Sequence, residues 1–289
     1  MFKKILIANR GEIACRVIKT AKKLGIKTIA ICSDPDENSP HVNMADDYIN
    51  IGGQTSSESY LVISKIIDAL KKSNADAVHP GYGFLSENVQ FRDEVHNSGK
   101  IFIGPPSQAI SLMGDKIESK KIAKSAGVSV VPGGLNVIKN IDKAILEAKK
   151  IGYPLMVKAS AGGGGKGMRI AFNERELVEN FGSAINEAKS SFGDERVFIE
   201  KFIEFPKHIE IQILGDQFGN FVHLGERECS IQRRHQKVIE EAPSPFVDEE
   251  LRSNMVDQAI KLGMAVGYYS AGTVEFVVDK DKNFFFLEM

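Results

Sequence analysis

The sequence has no tryptophan and only three cysteines among its 289 residues. Cys15, Cys32 and Cys229 lie far apart and form no CxxC pair, so neither a disulfide framework nor a cysteine-ligated zinc site is expected. Isolated cysteines of this kind usually serve as small buried hydrophobic side chains. We therefore expect a reducing compartment, which is the cytoplasm, or the mitochondrial matrix if a transit peptide is missing.

Excess charge of one sign and long apolar runs are also missing. The net charge is -1 at pH 7, which gives no electrostatic basis for binding nucleic acid or an anionic membrane. The opening segment MFKKILIANRGE has too few apolar residues before Asn9 for a signal-peptide core, and no apolar run reaches membrane length. With 43% hydrophobic and 26% charged residues, the composition is that of an ordinary soluble globular protein.

The first part of the chain alternates short apolar strands with amphipathic helices. Strands are predicted at 3–8, 27–32, 75–79 and 101–105, and helices at 9–24, 58–72 and 87–98. This alternation is typical of βαβ units, so we predict an α/β domain with a Rossmann-like parallel sheet that ends near residue 113. No G-x-G-x-x-G pattern follows the first strand, which argues against a dinucleotide oxidoreductase.

The second part has a different pattern, typical of an α+β fold with antiparallel strand pairs. Helices are predicted at 115–127, 140–151, 174–190 and 248–266, and strands at 154–160, 168–172, 197–203, 208–214, 273–278 and 284–289. The closing segment FFFLEM is too apolar for a free tail, so we expect the domain to continue beyond it.

A glycine-rich segment, 161–167, separates two of these strands. Its residues Gly163, Gly164, Gly165, Lys166 and Gly167 include four without a Cβ atom, so the backbone N–H groups could approach a phosphate closely. Lys158, on the preceding strand, could add a positive charge near the same phosphates. The alternative is a flexible surface hairpin with no ligand.

Glu275 and Glu288 lie on the last two predicted strands. If residues 280–283 form a four-residue hairpin loop, the two glutamates lie directly opposite each other, where like charges need a neutralising partner. A magnesium ion bound together with ATP phosphates would be such a partner. A five-residue loop would instead place them on opposite faces and favour two solvated glutamates.

Polar residues of mixed type form two further candidate groups. The segment from Gln232 to Lys237 (QRRHQK) is either part of a phosphate-binding site or a solvated cationic face. His208, Glu210 and Gln212 share one face of their strand, which is therefore exposed or turned towards a cleft. The apolar strand that ends in Glu200 and Lys201 has the backbone edge that an adenine ring could bind.

At these residues the sequence closely resembles the biotin carboxylase family of ATP-grasp enzymes. The resemblance covers the whole chain, in the family's order. It is carried by the segments KKILIANRGEIACRVI, HPGYGFLSEN, MGDKIESKK, KASAGGGGKGMR, IEKFI, HIEIQILGD, ERECSIQRRHQKVIEEAPSP and SAGTVEF. It implies a biotin carboxylase N-terminal domain at 1–113 and an ATP-grasp domain at 114–289, incomplete at its end, with a lid at about 131–203.

The resemblance also implies roles for individual residues. Elements that bind the ATP phosphates are implied at Lys116, Lys158 and the glycine segment Gly163–Gly167, including Gly164, Gly165 and Lys166. The adenine-binding hinge is implied at Glu200, Lys201 and Ile203, and further nucleotide contacts at His208, Gln232 and His235. Lys237 matches the lysine that contacts bicarbonate or the γ-phosphate, and Glu275 and Glu288 match the ligands of Mg²⁺ or Mn²⁺.

The implied function is that of a ligase. It carboxylates biotin, carried on a separate domain, with ATP and bicarbonate through carboxyphosphate, and it works with a carboxyltransferase component. A homo-oligomer is expected at full length, and the stretches GDKIESK and 189–203 most resemble enzymes that act on propionyl-CoA. A propionyl-CoA or acetyl-CoA carboxylase is therefore expected, and the biotin carboxylase parts of methylcrotonyl-CoA and pyruvate carboxylases remain alternatives. In the family an Asn-x-Arg segment and a catalytic glutamate follow, so we expect the 289 residues alone to be an inactive ATP-binding fragment.

Overall fold

The computed structural model describes residues 1–160, 168–233 and 236–289. The chain divides into two compact units, residues 1–110 and 111–289. Within the described ranges no helix is both long enough and apolar enough to cross a lipid bilayer.

The first unit is built around a five-stranded parallel sheet with the order β3-β2-β1-β4-β5. Its strands are β1 Lys4–Ile7, β2 Lys27–Cys32, β3 Asp47–Asn50, β4 Ala77–His79 and β5 Ile101–Phe102. Its helices are α1 Gly11–Lys23, α2 Pro40–Met44, α3 Ile63–Ser73 and α4 Val89–Asn97, and α5 Ser107–Gly114 follows at the boundary. The predicted α/β class and parallel sheet are confirmed.

Successive residues of β1 explain why helices cover both faces of this sheet. Leu6 packs in a cluster with Ile66 and Leu70 of α3, whereas Ile5 and Ile7 pack in a second cluster with residues of α1. A strand that is buried on both faces has a continuous apolar sequence, which is the pattern that made KTIAIC recognisable as a strand.

Two predictions for this unit were wrong in their bounds, and the elements α2, β3 and α5 were missed. The helix predicted at 58–72 is α3, which begins at Ile63. The preceding residues Ser56–Glu58 form a 3₁₀ turn instead, closed by a capping box between Thr55 and Glu58. The last strand is only Ile101–Phe102. Helix α2 is short, and β3 is a largely exposed edge strand with little apolar sequence to reveal it.

The second unit contains two antiparallel sheets. The smaller one has the order β7-β6-β8, from β6 Leu155–Ala159, β7 Met168–Ala171 and β8 Val197–Lys201. The larger one has the order β11-β10-β9-β12-β13, from β9 Lys207–Gly215, β10 Phe221–Arg233, β11 Gln236–Glu241, β12 Ser270–Val278 and β13 Phe284–Glu288. The helices are α6 Lys116–Ser125, α7 Ile141–Ile151, α8 Glu174–Phe192 and α9 Glu249–Ala265.

Each sheet of this unit buries one face against helices. In the smaller sheet, Leu155 and Val157 of β6 pack with Leu177 of α8. In the larger sheet, Ile209, Ile211 and Ile213 of β9 are fully buried, and α9 packs on β9 and β10. The alternate residues of β9, from His208 to Gln212, therefore point to the opposite face, as their spacing predicted.

The hairpin of β10 and β11 was not predicted as a pair of strands. Register shifts interrupt β10 between His223 and Glu226 and again between Glu228 and Gln232, so its side chains do not alternate regularly. Gly225, with φ +85°, lies in the first interruption and adopts a conformation that other residues avoid. The cation-rich segment thus spans the end of β10 and the start of β11.

Candidate active site

A cavity of about 380 Å³ lies in the second unit and collects many of the predicted site residues. Its volume is in the range of small-molecule sites. Charged and polar side chains from six elements line it. The predicted residues in its lining are Lys116, Lys158, Glu200, Lys201, Ile203, His208, Gln232 and Glu288. Gly163–Gly167, with Gly164, Gly165 and Lys166, and His235 lie outside the described residues.

One wall of the cavity is apolar. Met156, Phe198, Phe202, Val277 and Phe286 contribute to it. Lys201 also lines the cavity. Its amine donates hydrogen bonds to the carbonyl oxygens of Gly152 (3.2 Å) and Tyr153 (2.6 Å), which hold the side chain in place. An aromatic ring such as a nucleobase would fit a wall of this composition, because it offers wide apolar contact with few competing charges.

Two lysines of the cavity lining share the carboxylate of Glu200. Lys120 Nζ lies 2.7 Å from one carboxylate oxygen, and Lys158 Nζ forms an ion pair with the other. Burial raises the pKa of Glu200, but attraction by Lys158 and Lys120 outweighs this effect and lowers the pKa to about 2. Glu200 is therefore ionised, and its carboxylate is fully engaged by protein cations.

Lys120 was missed by the sequence analysis. The sequence did contain a signal for it. Lys120 lies four residues after Lys116, so both lysines share one face of α6. Lysine at this spacing is usually solvent-exposed, and its burial here, at 4% exposure, depends on a carboxylate that lies 80 residues further along the chain.

Lys116 is placed by the start of α6. The carboxylate of Asp115 caps the helix by accepting hydrogen bonds from the N–H groups of Ile117 (2.9 Å) and Glu118 (3.0 Å). Burial lowers the pKa of Lys116, while the nearby charge of Glu288 opposes the shift. Its amine forms no hydrogen bond or ion pair with another described residue, so it has donors available for a ligand.

Glu275 and Glu288 are paired across β12 and β13, although the loop prediction was wrong. Val278 pairs with Phe284, so the loop comprises residues 279–283 and has five residues, not four. A register shift between the Phe276–Phe286 and Glu275–Glu288 pairs inserts Leu287 as a bulge and brings Glu288 opposite Glu275. The structure therefore contradicts the proposed loop but confirms the proposed juxtaposition.

The two glutamates have opposite electrostatic environments. Burial raises the pKa of Glu275, but hydrogen bonds from His208 and Lys237 outweigh burial and lower that pKa to about 2. Burial and the charge of Glu275 raise the pKa of Glu288. The carboxylate of Glu288 forms no hydrogen bond or ion pair with another described residue. A bound cation would therefore stabilise its ionised form.

Lys237 is held at this pair by two carboxylates. Its Nζ donates to Glu275 Oε1 at 2.6 Å and to Glu210, while His208 Nε2 lies 2.7 Å from Glu275 Oε2. Burial lowers the pKa of Lys237, but the hydrogen bonds to Glu210 and Glu275 dominate and raise it above its ordinary value. Lys237 is therefore a fixed positive charge at the site.

Glu210 and Arg227 continue the network and were not among the predicted site residues. Arg227 pairs with Glu210 and donates to Gln212 Oε1 (3.0 Å) and Thr273 Oγ1 (3.2 Å). Glu210 is only 2% exposed, so it is a buried anion with a cation on each side. At the end of β10, Gln232 donates to the carbonyl oxygen of Cys229 at 2.9 Å and faces the cavity.

Two protein families match the chain in sequence. Residues 1–110 match the biotin carboxylase N-terminal domain, and residues 115–289 match the ATP binding domain of the carbamoyl-phosphate synthase L chain. The chain belongs to the biotin carboxylase family. The resemblance inferred from its motifs is thereby confirmed.

Curated relatives in this family include carboxylase α chains with different acyl acceptors. The chain is 62% identical over 289 residues to the propionyl-CoA carboxylase alpha chain of Ruegeria pomeroyi, covering 100% of this chain and 42% of the relative. It is 55% identical over 286 residues to the methylcrotonoyl-CoA carboxylase subunit alpha, mitochondrial, of Dictyostelium discoideum, covering 99% and 41%. The chain thus spans about two fifths of the length of these relatives.

Solved biotin carboxylase structures have the same fold. A biotin carboxylase from Campylobacter jejuni in a β-γ-ATP complex matches with a TM-score of 0.96 at 48% identity, covering 100% of this chain and 65% of that one. The biotin carboxylase domain of 2-oxoglutarate carboxylase from Hydrogenobacter thermophilus, a dimer with MgADP, ADP and bicarbonate, matches with a TM-score of 0.93 at 50% identity, covering 100% and 64%. The ATP-grasp class predicted for the second unit is confirmed.

Proposed function

We propose that the second unit binds MgATP and that the protein is the biotin carboxylase component of a biotin-dependent acyl-CoA carboxylase. The observation that carries the nucleotide proposal is the surplus of buried positive charge in the cavity. Among the described residues, Lys116, Lys120 and Lys158 line the cavity with only two carboxylates: Glu200, which is paired with Lys120 and Lys158, and Glu288, whose charge acts on Lys116. A buried surplus of cations is costly unless an anion joins it, and a polyphosphate supplies that anion.

The cavity's two ends suit the two ends of ATP. The adenine would lie on the apolar wall beside Glu200, Lys201 and Ile203, which line the same cavity. The phosphates would lie towards Lys116 and Lys158, with the glycine segment 163–167 and Gln232 and His235 as further contacts. The part between residues 131 and 203, which contains β6, β7, β8, α7 and α8, is the lid in this proposal.

The residues present fit a divalent metal ion. Glu275 and Glu288 offer hard carboxylate oxygens side by side. The raised pKa of Glu288 reflects burial first and repulsion by Glu275 second, and a bound cation would oppose both effects. These two residues would hold Mg²⁺ or Mn²⁺, with His208 and Lys237 fixing the orientation of Glu275. A bound divalent ion supplies charge neutralisation at the phosphate oxygens.

Lys237 is the proposed catalytic residue. In the first reaction an oxygen of bicarbonate attacks the γ-phosphorus of ATP, the bond to ADP breaks, and carboxyphosphate forms. Negative charge accumulates on the transferred group, and a preorganised cation stabilises it without reorganisation. Glu210 and Glu275 hold the Lys237 amine in place for this task and keep it protonated. Carboxyphosphate then releases CO₂ and phosphate, and the deprotonated ureido nitrogen of biotin attacks the CO₂.

The partners and the acyl acceptor are further parts of the proposal. Biotin would be presented by a carrier domain and its carboxyl group consumed by a carboxyltransferase, in a homo-oligomeric assembly. The relative with 62% identity favours propionyl-CoA over acetyl-CoA as the final acceptor. Both bacterial and mitochondrial relatives exist, which supports the cytoplasm or the mitochondrial matrix as its location.

The test has two parts. MgATP is titrated into the chain by calorimetry, and Lys116→Met is expected to weaken binding about tenfold or more, because one charge-assisted phosphate contact is lost. Lys261→Met is the matched control, since Lys261 is an exposed lysine on α9 whose one ion pair among the described residues is with Asp257.

Turnover is measured with the full-length gene product. Bicarbonate-dependent ATP hydrolysis that is stimulated by biotin is expected, with labelled carbon found in carboxybiotin. Absence of MgATP binding to the chain would overturn the nucleotide site. Binding without bicarbonate-dependent hydrolysis in the full-length gene product would reduce the function to nucleotide binding.

A further inference from the structure

The buried carboxylate of Glu200 has twice the cationic partners that it needs for charge balance. Lys120 approaches it from α6 and Lys158 from β6, and both belong to the lining of the cavity. The side chain of Lys158 is 12% exposed, that of Lys120 only 5% and that of Glu200 7%. Lys158 is therefore the partner that lies nearer to the open space of the cavity.

A single lysine could not serve both the carboxylate and a nucleotide. If Lys158 were the sole partner, movement of its amine towards a phosphate would leave Glu200 ionised, buried and unpaired, which is strongly unfavourable. With Lys120 in place, one cation stays on Glu200 whatever Lys158 does. The second lysine thus makes the first one available to a ligand.

The protein provides space for the Lys120 amine at a glycine. Gly134 has φ +73°, and a Cβ atom built there would lie 2.5 Å from Lys120 Nζ and 3.2 Å from both Lys120 Cδ and Phe198 Cδ2. The N–H of Gly134 donates to the carbonyl oxygen of Ile199 at 2.7 Å, which holds this backbone against β8. Lys120 Nζ also lies 6.0 Å from the centre of the Phe198 ring. Lys120 therefore occupies a defined niche beside β8.

We propose that Lys120 is a positioning residue of the nucleotide site, which keeps Glu200 neutralised so that Lys158 can leave it and bind a phosphate of the nucleotide. This inference rests on the proposed function, because it assigns Lys158 to the nucleotide phosphates. Lys120 itself need not touch the nucleotide.

The test compares MgATP and adenosine binding by calorimetry in the 289-residue chain. Lys120→Met is expected to weaken MgATP binding about tenfold or more, since Lys158 is then retained by Glu200 and its phosphate contact is lost. Adenosine, which has no phosphate, should bind the variant as it binds the wild type. Equal losses for both ligands would mean that Lys120 acts on the base or on folding, and would overturn the proposal.

A second variant separates the exchange from a merely structural role. In Lys120→Met/Glu200→Gln the anion that retains Lys158 is gone, so MgATP affinity should return to within about threefold of that of Glu200→Gln alone. Because no carboxylate remains at position 200 to retain Lys158, the comparison of this double variant with Glu200→Gln also tests the inference if Lys120→Met alone fails to fold. A double variant that binds MgATP no better than Lys120→Met, or tenfold more weakly than Glu200→Gln, would overturn the inference.

The outcome for the wild type distinguishes this inference from the proposed function. A wild-type chain that binds no MgATP contradicts the nucleotide site itself. A wild type that binds MgATP together with a Lys120→Met variant of unchanged affinity contradicts only the role of Lys120.

Discussion

Glu288 lies directly opposite Glu275 because of a bulge at Leu287, not because of the length of the hairpin loop. Three regular pairs, from Val278–Phe284 to Phe276–Phe286, would place Leu287 opposite Glu275 if the register continued. The one-residue shift replaces Leu287 by Glu288 and brings two carboxylates to one face of the sheet. Bulges commonly re-aim a side chain in this way beside functional sites.

The first prediction concerns the stability that the folded chain loses because the carboxylates of Glu275 and Glu288 lie opposite each other. Burial and the charge of Glu275 raise the pKa of Glu288, so the unfolded chain loses this proton at a lower pH than the folded chain does. Ionisation of Glu288 therefore destabilises the folded chain as the pH rises above the ordinary pKa of a glutamate. We expect Glu288→Gln to raise the free energy of unfolding at pH 7 by roughly 0.2–1 kcal/mol in the absence of divalent cations.

Urea denaturation at pH 7 and pH 4, in the presence of a chelator, measures this effect. The gain should shrink at pH 4, where Glu288 is largely protonated in both the folded and the unfolded state. Glu241→Gln, at an exposed position of β11, is the control and should change little. With MgATP added, the wild type should gain more stability than Glu288→Gln; an equal gain in both would contradict a metal-binding role for Glu288.

The sequence predicted most strands that are apolar on both faces or strictly alternating, and it failed where the register is broken. KTIAIC was recognised over its full range, whereas β10 was missed because register shifts interrupt its alternation. The pairing of Glu275 with Glu288 was predicted from an incorrect loop length, since a bulge has no reliable signal in sequence. Sequence periodicity describes regular elements and is silent about such local insertions.

For the site, single residues could be predicted but not their partners. Lys158 and Glu200 were both singled out, yet their mutual ion pair and the shared Lys120 depend on the packing of α6 against strands far away in sequence. Glu210 was noticed only as part of a polar strand face, and Arg227 not at all. Both matter through the support they give to Lys237, which is a three-dimensional relationship.

The second prediction concerns Lys237 in the full-length gene product. Lys237→Ala should lower kcat for bicarbonate-dependent ATP hydrolysis by about 10²–10³-fold, the usual effect of removing one preorganised charge from a transition state. The KM for ATP should change much less, because Lys237 lies at the carboxylates and not at the apolar wall. Steady-state kinetics with Lys261→Ala as control make the comparison. A raised KM with an intact kcat would instead identify Lys237 as a residue for uniform binding.

The third prediction concerns acid stability. The pKa of Glu200 is about 2 in the folded chain, against an ordinary value of 4.5. A lowered pKa contributes stability that is present above pH 4.5 and is lost as pH falls towards 2. By linkage this contribution is about 3 kcal/mol. Glu200→Gln should therefore show a smaller fall in unfolding free energy between pH 5 and pH 3 than the wild type does.

The same variant should be less stable than the wild type at pH 7, by roughly 3–5 kcal/mol, because two buried lysines lose their anion. Urea denaturation across this pH range gives both quantities. Glu241→Gln should keep the wild-type pH dependence. Parallel curves for Glu200→Gln and the wild type would show that Glu200 has an ordinary pKa in the folded chain.

The fourth prediction sets helix propensity against packing at two helical glycines. Gly182 in α8 is exposed, and a Cβ atom there would meet nothing within 4 Å. Gly263 in α9 is buried, and its Cβ would lie 2.8 Å from Phe221 Cε1 and 3.1 Å from Ile213 Cδ1. Phe221 is also confined from the sheet side, where a Cβ at Gly215 would lie 2.8 Å from the same ring atom. The ring therefore fills a space that exists only because both positions lack a side chain.

Propensity alone favours alanine at both sites by about 0.8–1.0 kcal/mol. At Gly182 nothing opposes it, so Gly182→Ala should raise the free energy of unfolding by up to that amount. At Gly263 overpacking costs about 1–3 kcal/mol and should exceed the propensity gain, since neither Phe221 nor Ile213 can move away without disturbing the core between α9 and β9. Urea denaturation of both variants decides the matter: stabilisation by Gly263→Ala as large as that by Gly182→Ala would mean that α9 can shift and that this contact does not set its position.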